Sequence, residues 1–239
     1  MISRRRSLLL ASVLGAAVLA ALSAGSARAA DECKGLRVCL PVAGPWVVIP
    51  AGGVDYELAC PVQGYVVAGT DARVATADVD VWFRGETGSP VGPGVTTRRS
   101  VVFHAARVPA RAATSSFRPF LGCIPTSGGG GRGETAVRRP AAFAPVKALD
   151  RRVVRKRLVS GATVKIVGGC PAGTRLLGTS HAYAFRTEAE PGLTLLRAVT
   201  VRRVVTGRRV VATATVAPTV PQSLAVELQL HSLCSRGAR

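Results

Sequence analysis

The same ordered series of residues occurs twice in this chain, about 110 positions apart, and each series closes on a cysteine. Cys60-Pro61-Val62-Gln63-Gly64 followed by Gly69-Thr70 returns as Cys170-Pro171-Ala172-Gly173 followed by Gly178-Thr179. Upstream, Val54 and Tyr56 align with Val164 and Ile166. Downstream, Arg99-Ser100-Val101-Val102 aligns with Arg208-Arg209-Val210-Val211, Pro109 aligns with Pro218, and the series end at Cys123 and Cys234. An ordered set of matches needing only small insertions reads as an internal duplication. Whatever one copy folds into, the other is expected to repeat.

The duplication also orders the cysteines. Six of them allow fifteen pairings. Two equivalent units make Cys60–Cys123 and Cys170–Cys234 the economical choice, which leaves Cys33–Cys39 as a small N-terminal loop. A bridge closing about sixty residues stabilises by roughly 4 kcal/mol in the chain-entropy view. That matters for a unit of under about eighty residues, whose core is thin. No close Cys/His pairs with metal spacing occur, so no metal and no cofactor is expected.

Within the copies the apolar residues alternate with period two, the mark of half-buried strands. Leu224, Val226, Leu228 and Leu230 alternate with Ala225, Glu227, Gln229 and His231. Ala75, Ala77, Val79, Val81 and Phe83 alternate with Thr76, Asp78, Asp80, Trp82 and Arg84. Residues 199–205 and 209–216 are β-branched runs parted near Thr206-Gly207, which predicts a hairpin. Long helical periodicity is absent. The expected fold is all-β: two tandem small antiparallel β-sandwich-like modules, each closed by a disulfide. The boundaries follow as an N-terminal segment over 30–45, module 1 over 46–123, a glycine-rich then basic linker over 124–155, module 2 over 156–234 and a basic tail over 235–239.

Residues 1–29 read as a signal peptide. Arg4, Arg5 and Arg6 form the positive start, residues 8–24 the apolar stretch, and Ala27-Arg28-Ala29 the small-residue cleavage site, with cleavage near Ala29. Export to an oxidising compartment suits the disulfides, and no other stretch is apolar enough to span a membrane. The whole chain carries 32 Lys and Arg against 13 Asp and Glu, with no Asn, as expected of a high-GC coding bias. The excess is uneven. Residues 46–123 hold 7 bases and 6 acids, residues 124–155 hold 7 and 2, and residues 156–234 hold 10 and 3.

The valine-rich strand with Ile49-Pro50-Ala51-Gly52, then Cys60-Pro61 and Gly69, and Cys170-Pro171-Ala172-Gly173 with Gly178 and Cys234, resembles a disulfide-closed repeat of secreted proteins from high-GC bacteria. The likeness covers about two thirds of the mature chain and departs where a glycine run is expected, since Thr70 and Thr179 stand there. It implies an exported β fold and no activity.

A concentrated positive field draws anionic polymers. The candidate anion-binding residues are Arg202, Arg203, Arg208 and Arg209 around the predicted hairpin turn, with Arg151, Arg152, Arg155, Lys156 and Arg157 at the end of the linker. Catalytic constellations fail their tests. The run 127–133, with five glycines, lacks the lysine of a phosphate loop, because Glu134 stands in its place. There is no G-x-S-x-G, the cysteines are all assigned to bridges, and His231 falls on the polar face of the last strand, where it is expected to be exposed. Trp46, Trp82 and Tyr65 are candidates for a sugar-stacking face or for ordinary packing. The sequence therefore points to a secreted, non-enzymatic β-module protein with a structural or binding role at the cell envelope. A second reading is a binder of anionic polymers (wall polymer, polysaccharide or nucleic acid without sequence preference) through the linker and second module. A hydrolase with an unrecognised site is the third. The partner is expected to be an anionic envelope polymer or another protein.

Overall fold

The structure, a computed structural model, describes residues 31–36, 38–84, 99–108, 114–125 and 149–235. The expected signal peptide over 1–29, the glycine run, Arg138-Arg139 and the tail beyond Ser235 lie outside the described residues.

The chain is nearly all β, and its strands are antiparallel throughout. After a 3-10 turn at Asp31–Cys33 come β1 (Leu40–Ala43), β2 (Trp46–Ile49), β3 (Val54–Ala59), β4 (Tyr65–Val74), β5 (Val79–Arg84), β6 (Ser100–Arg107) and β7 (Ser115–Pro125). The second half holds β8 (Asp150–Leu158), β9 (Thr163–Gly169), β10 (Arg175–Arg186), a single helical turn α1 (Leu193–Leu196), β11 (Val199–Thr206), β12 (Arg209–Val216) and β13 (Ala225–Ser235).

Period-two alternation runs through several of the strands. In β12, Val210, Ala212, Ala214 and Val216 are all buried on one face, while Thr213 and Thr215 look outward. In β3, Val54, Tyr56 and Leu58 point inward and Asp55 and Glu57 outward. The predicted hairpin joins β11 to β12 with Thr206 paired to Arg209. Gly207 takes a φ of 58° there, the positive value that a tight hairpin turn demands of its first central residue.

Each half pairs its strands in the same way. In the first, β7 has β1 and β2 on one side and β4 on the other, and β6 lies between β3 and β5. In the second, β13 lies between β8 and β10, and β12 between β9 and β11. The recurrence extends to an irregularity: one extra residue interrupts the ladder between Val67 and Gly69, and again between Leu176 and Gly178. The bridges recur as well, Cys60–Cys123 and Cys170–Cys234, with Cys33–Cys39 as the third.

The halves are not free-standing. β2 pairs with β10, Ala184 opposite Val47 and Phe185 opposite Trp46, so one seven-stranded sheet runs through both. Side chains cross with it. Ala182 and Ala184 of β10 belong to the core of the first half, and Val48 of β2 to that of the second. The junction is head to tail: the sheet ends on β4 at one side and on β8 at the other. The boundary expected at residue 155 also shifts, because β7 continues to Pro125 and β8 begins at Asp150. Arg151, Arg152 and Arg155 are therefore strand residues. Among the described residues no helix is long and apolar enough to cross a membrane.

Candidate functional site

Strand β8 reads Asp-Arg-Arg-Val-Val-Arg-Lys-Arg-Leu, and alternation sends its cations to two destinations. Directly paired residues of an antiparallel ladder share a face. Arg152, Val154 and Lys156 are paired with Ser232, Leu230 and Leu228, on the face of β13 that looks into the second core. Arg151, Val153 and Arg155 are paired with Leu233, His231 and Gln229, on the face turned toward the first half.

That second face meets β3 in a polar contact between the halves. Arg151 Nη1 donates to Asp55 Oδ2 at 2.7 Å, and His104 Nδ1 lies 2.7 Å from Asp55 Oδ1. Arg155 Nη2 donates to Glu57 Oε2 at 2.8 Å. Glu227 receives Tyr56 Oη at 3.2 Å and Arg186 Nη2 at 3.2 Å. Gln229 binds the exposed edge of β3 as a neighbouring strand would. The Glu57 amide donates to its Oε1, and its Nε2 donates to the Glu57 carbonyl, both at 2.9 Å.

The electrostatics follow from this packing. Burial alone would raise the Asp55 carboxyl, but the hydrogen bonds from His104 and Arg151 outweigh it and hold the group below the usual carboxylate range. Burial, with the Glu227 charge, pushes the Tyr56 hydroxyl far up. His231 is 1% exposed, not on a solvated face as its sequence position suggested. Burial and then the Arg151 charge lower its pKa to about 3, so the ring is neutral. The error has a physical source: an alternating polar face in the sequence does not say whether water or a polar partner covers it.

The face of β8 that looks inward opens on a different surface. An open cleft of about 600 Å³ lies between β8, the end of β9 and the β11–β12 turn, lined by Arg152, Arg208 and Arg209 with Val154, Val167 and Pro171 among others. Among the described residues no carboxylate lines it. Arg208 Nη1 donates to the Pro171 carbonyl at 3.0 Å, which holds the turn against the Cys-Pro segment. Arg152 Nε reaches Asp150 Oδ2 at 3.4 Å, a pair about half exposed on both sides and so of little strength.

The nine cations singled out in the sequence are thus divided. Arg152, Arg208 and Arg209 share the basic cleft. Arg151 and Arg155 are paired with acids of the first half. Lys156 and Arg157 line a neighbouring cleft of about 310 Å³ together with Arg155, Arg186 and Glu227. The four arginines of the hairpin do not act together. Arg203 turns inward and donates to His181 Nδ1 at 2.9 Å, while Arg202 alternates to the exposed face.

The aromatic trio does not form one sugar-stacking face. Trp46 is 1% exposed, and Tyr65 packs against the first core. Trp82 is 43% exposed and lies 4.2 Å from the His104 ring. Asp55 and His104 form a carboxylate–imidazole pair, but the second Asp55 oxygen is held by Arg151, and among the described residues no hydroxyl or thiol is bonded to His104. Asp55, His104 and Gln229 were not singled out by sequence. The signal available was the Asp55-x-Glu57 spacing on one strand face, with Arg151 and Arg155 on one face of another. Among the described residues no group of three His, Cys, Asp or Glu is placed to hold a metal ion.

No protein-family model matches the chain, and neither a curated protein nor a solved structure matches it significantly.

Proposed function

We propose that the chain is an exported, non-catalytic binding protein that holds an anionic partner in the basic cleft of its second half. One observation carries this reading. Arg152, Arg208 and Arg209 converge on an open surface with no lining carboxylate among the described residues, whereas the arginines on the other face of β8 are neutralised by Asp55 and Glu57. Cations left facing solvent in a concave site raise the local concentration of an anionic ligand and its rate of encounter. Export is supported by the N-terminal sequence, and three disulfides with no membrane-crossing helix among the described residues are compatible with an extracellular location.

The test is retention on immobilised heparin and on polyphosphate over a salt gradient. The wild-type chain is expected to bind at low salt and to elute early as salt rises. The combined change Arg152→Glu, Arg208→Glu and Arg209→Glu is expected to weaken affinity by at least tenfold. It should flatten the salt dependence by about two to three charges' worth. Arg202→Glu, on the exposed face outside the cleft, serves as a charge control and is expected to have a smaller effect. Equal retention of the triple variant and the wild type would overturn the proposal.

A further inference from the structure

The open edge of β8 beside the cleft has a counterpart in the first half, and there part of it is covered. Strands β1 and β2 together correspond to β8: Leu40 and Val47 pair with Cys123 and Phe117 on β7 as Asp150 and Lys156 pair with Cys234 and Leu228 on β13. The free edge of β2 is taken by β10, and Ala182 and Ala184 complete the core behind it. A side of this kind, between the edge of the large sheet and the edge of the small one, is therefore shaped to accept an extended strand. In the second half β8 and β9 end their sheets, and among the described residues no strand pairs with their outer edges. Val154 and Val167 beside them are 37% and 46% exposed.

The side chains say what such a strand must carry. Within the first half, Val47 faces Phe117 on β7 and Ala184 on β10. In the second half the position facing Leu228 on β13, the counterpart of Phe117, belongs to Lys156. A residue laid opposite Lys156 meets an ammonium where Ala184 meets a methyl group, and Arg152 repeats the condition four residues earlier on the same face. Cations along an open edge reject neutral and basic strands and admit acidic ones. A second copy of this chain is a poor occupant. Its free edge is β4, where Arg73 stands four residues beyond Gly69, as Ala182 stands four beyond Gly178. In that register Arg73 would lie opposite Leu158, the counterpart of Ile49, and next to Lys156 on the same face.

We infer that the partner of the basic cleft is an extended acidic polypeptide, with a carboxylate at every second residue, added antiparallel to the edge of β8. The inference rests on the proposed function and narrows it from anions in general to a strand whose backbone amides pair with the protein.

The experiment uses the disulfide-intact chain and a fluorescent, end-capped peptide of four Ala-Glu repeats, with polyphosphate and heparin measured beside it. Two further peptides carry backbone N-methyl groups, one on every Ala and the other on every Glu. Only one of these two sets of amides faces β8, because successive amides of a strand point to opposite edges. One methylated peptide is expected to lose at least tenfold in affinity and the other to stay within about threefold of the parent. Lys156→Glu is expected to weaken the acidic peptide and to favour an Ala-Lys one. If both methylated peptides bind like the parent, or if polyphosphate and heparin bind and the peptide does not, the strand-addition inference is overturned while the anion-binding proposal stands. If none of the three anions binds, both fall.

Discussion

Acidifying the solution should weaken this fold through His231. Its ring is buried, with Arg151 Nη1 3.4 Å from Nδ1 and Gln229 Oε1 3.1 Å from Nε2. The tautomer follows from the partners. A guanidinium only donates, so Nδ1 is the acceptor, and Nε2–H donates to Gln229. A second proton would have to sit on Nδ1, facing a cation in a site removed from water. Burial and the Arg151 charge hold the folded pKa at about 3, against an ordinary value of 6.5. Between those two values the unfolded chain binds more protons than the folded one, so stability falls as pH falls. The slope approaches about 1.4 kcal/mol per pH unit, which gives a loss of about 3 kcal/mol between pH 6.5 and pH 4. His181, lowered by burial and then by Arg203, adds to the loss with the same sign. Asp55, held below its ordinary value, adds to it further as pH falls through its folded pKa. Urea unfolding at pH 7, 5.5 and 4, for the wild type and for His231→Gln, reads the effect directly. The wild type is expected to lose about 3 kcal/mol more than the variant over this range. Parallel pH dependences for the two proteins would refute the buried, arginine-facing histidine.

Replacing Cys170 and Cys234 together by Ala should cost about 4 kcal/mol in urea unfolding, since the bridge spans 64 residues. A cost under about 1 kcal/mol would count against the loop-entropy account. Gly122→Ala would drive its methyl group into the Glu32 carbonyl and to 3.0 Å from Cys39 Sγ. Amide exchange is expected to accelerate over residues 31–36 while β13 keeps its protection, and unchanged exchange would sink the idea. A double-mutant cycle of Asp55→Asn and Arg151→Gln should return a coupling of about 1 to 2 kcal/mol, discounted for a pair about one-fifth exposed. Additive effects would mean that the ion pair does not tie the halves.

Much of the fold was legible because each signal is local and periodic. The alternation in residues 224–231, the β-branched runs around Thr206-Gly207 and the duplicated Cys-Pro series led to β13, the β11–β12 hairpin and the three bridges. The meeting of the halves was not legible. Glu227, Gln229 and His231 show polarity but not what they face: β3 partners Glu227 and Gln229 from 171 and 172 residues away in sequence, and Arg151 of β8 partners His231. The basic cleft was half legible. Arg208 and Arg209 stood out at a predicted turn, but only the strand register of β8 separates Arg152 from its neighbour Arg151. The alternation over 75–83 overreached as well, because β4 ends at Val74 and a turn precedes β5, so that the line of alternating residues crosses from one sheet to the other.

The shared sheet bears on how such a molecule fails. A protease that cut between residues 126 and 149 would sever the covalent string without releasing two pieces, because Ala182 and Ala184 fill the interior of the N-terminal piece and Gln229 grips its margin. The nicked protein should migrate as one particle until denaturant is added. A fragment ending at residue 125 would instead display an unfilled hydrophobic flank and clump.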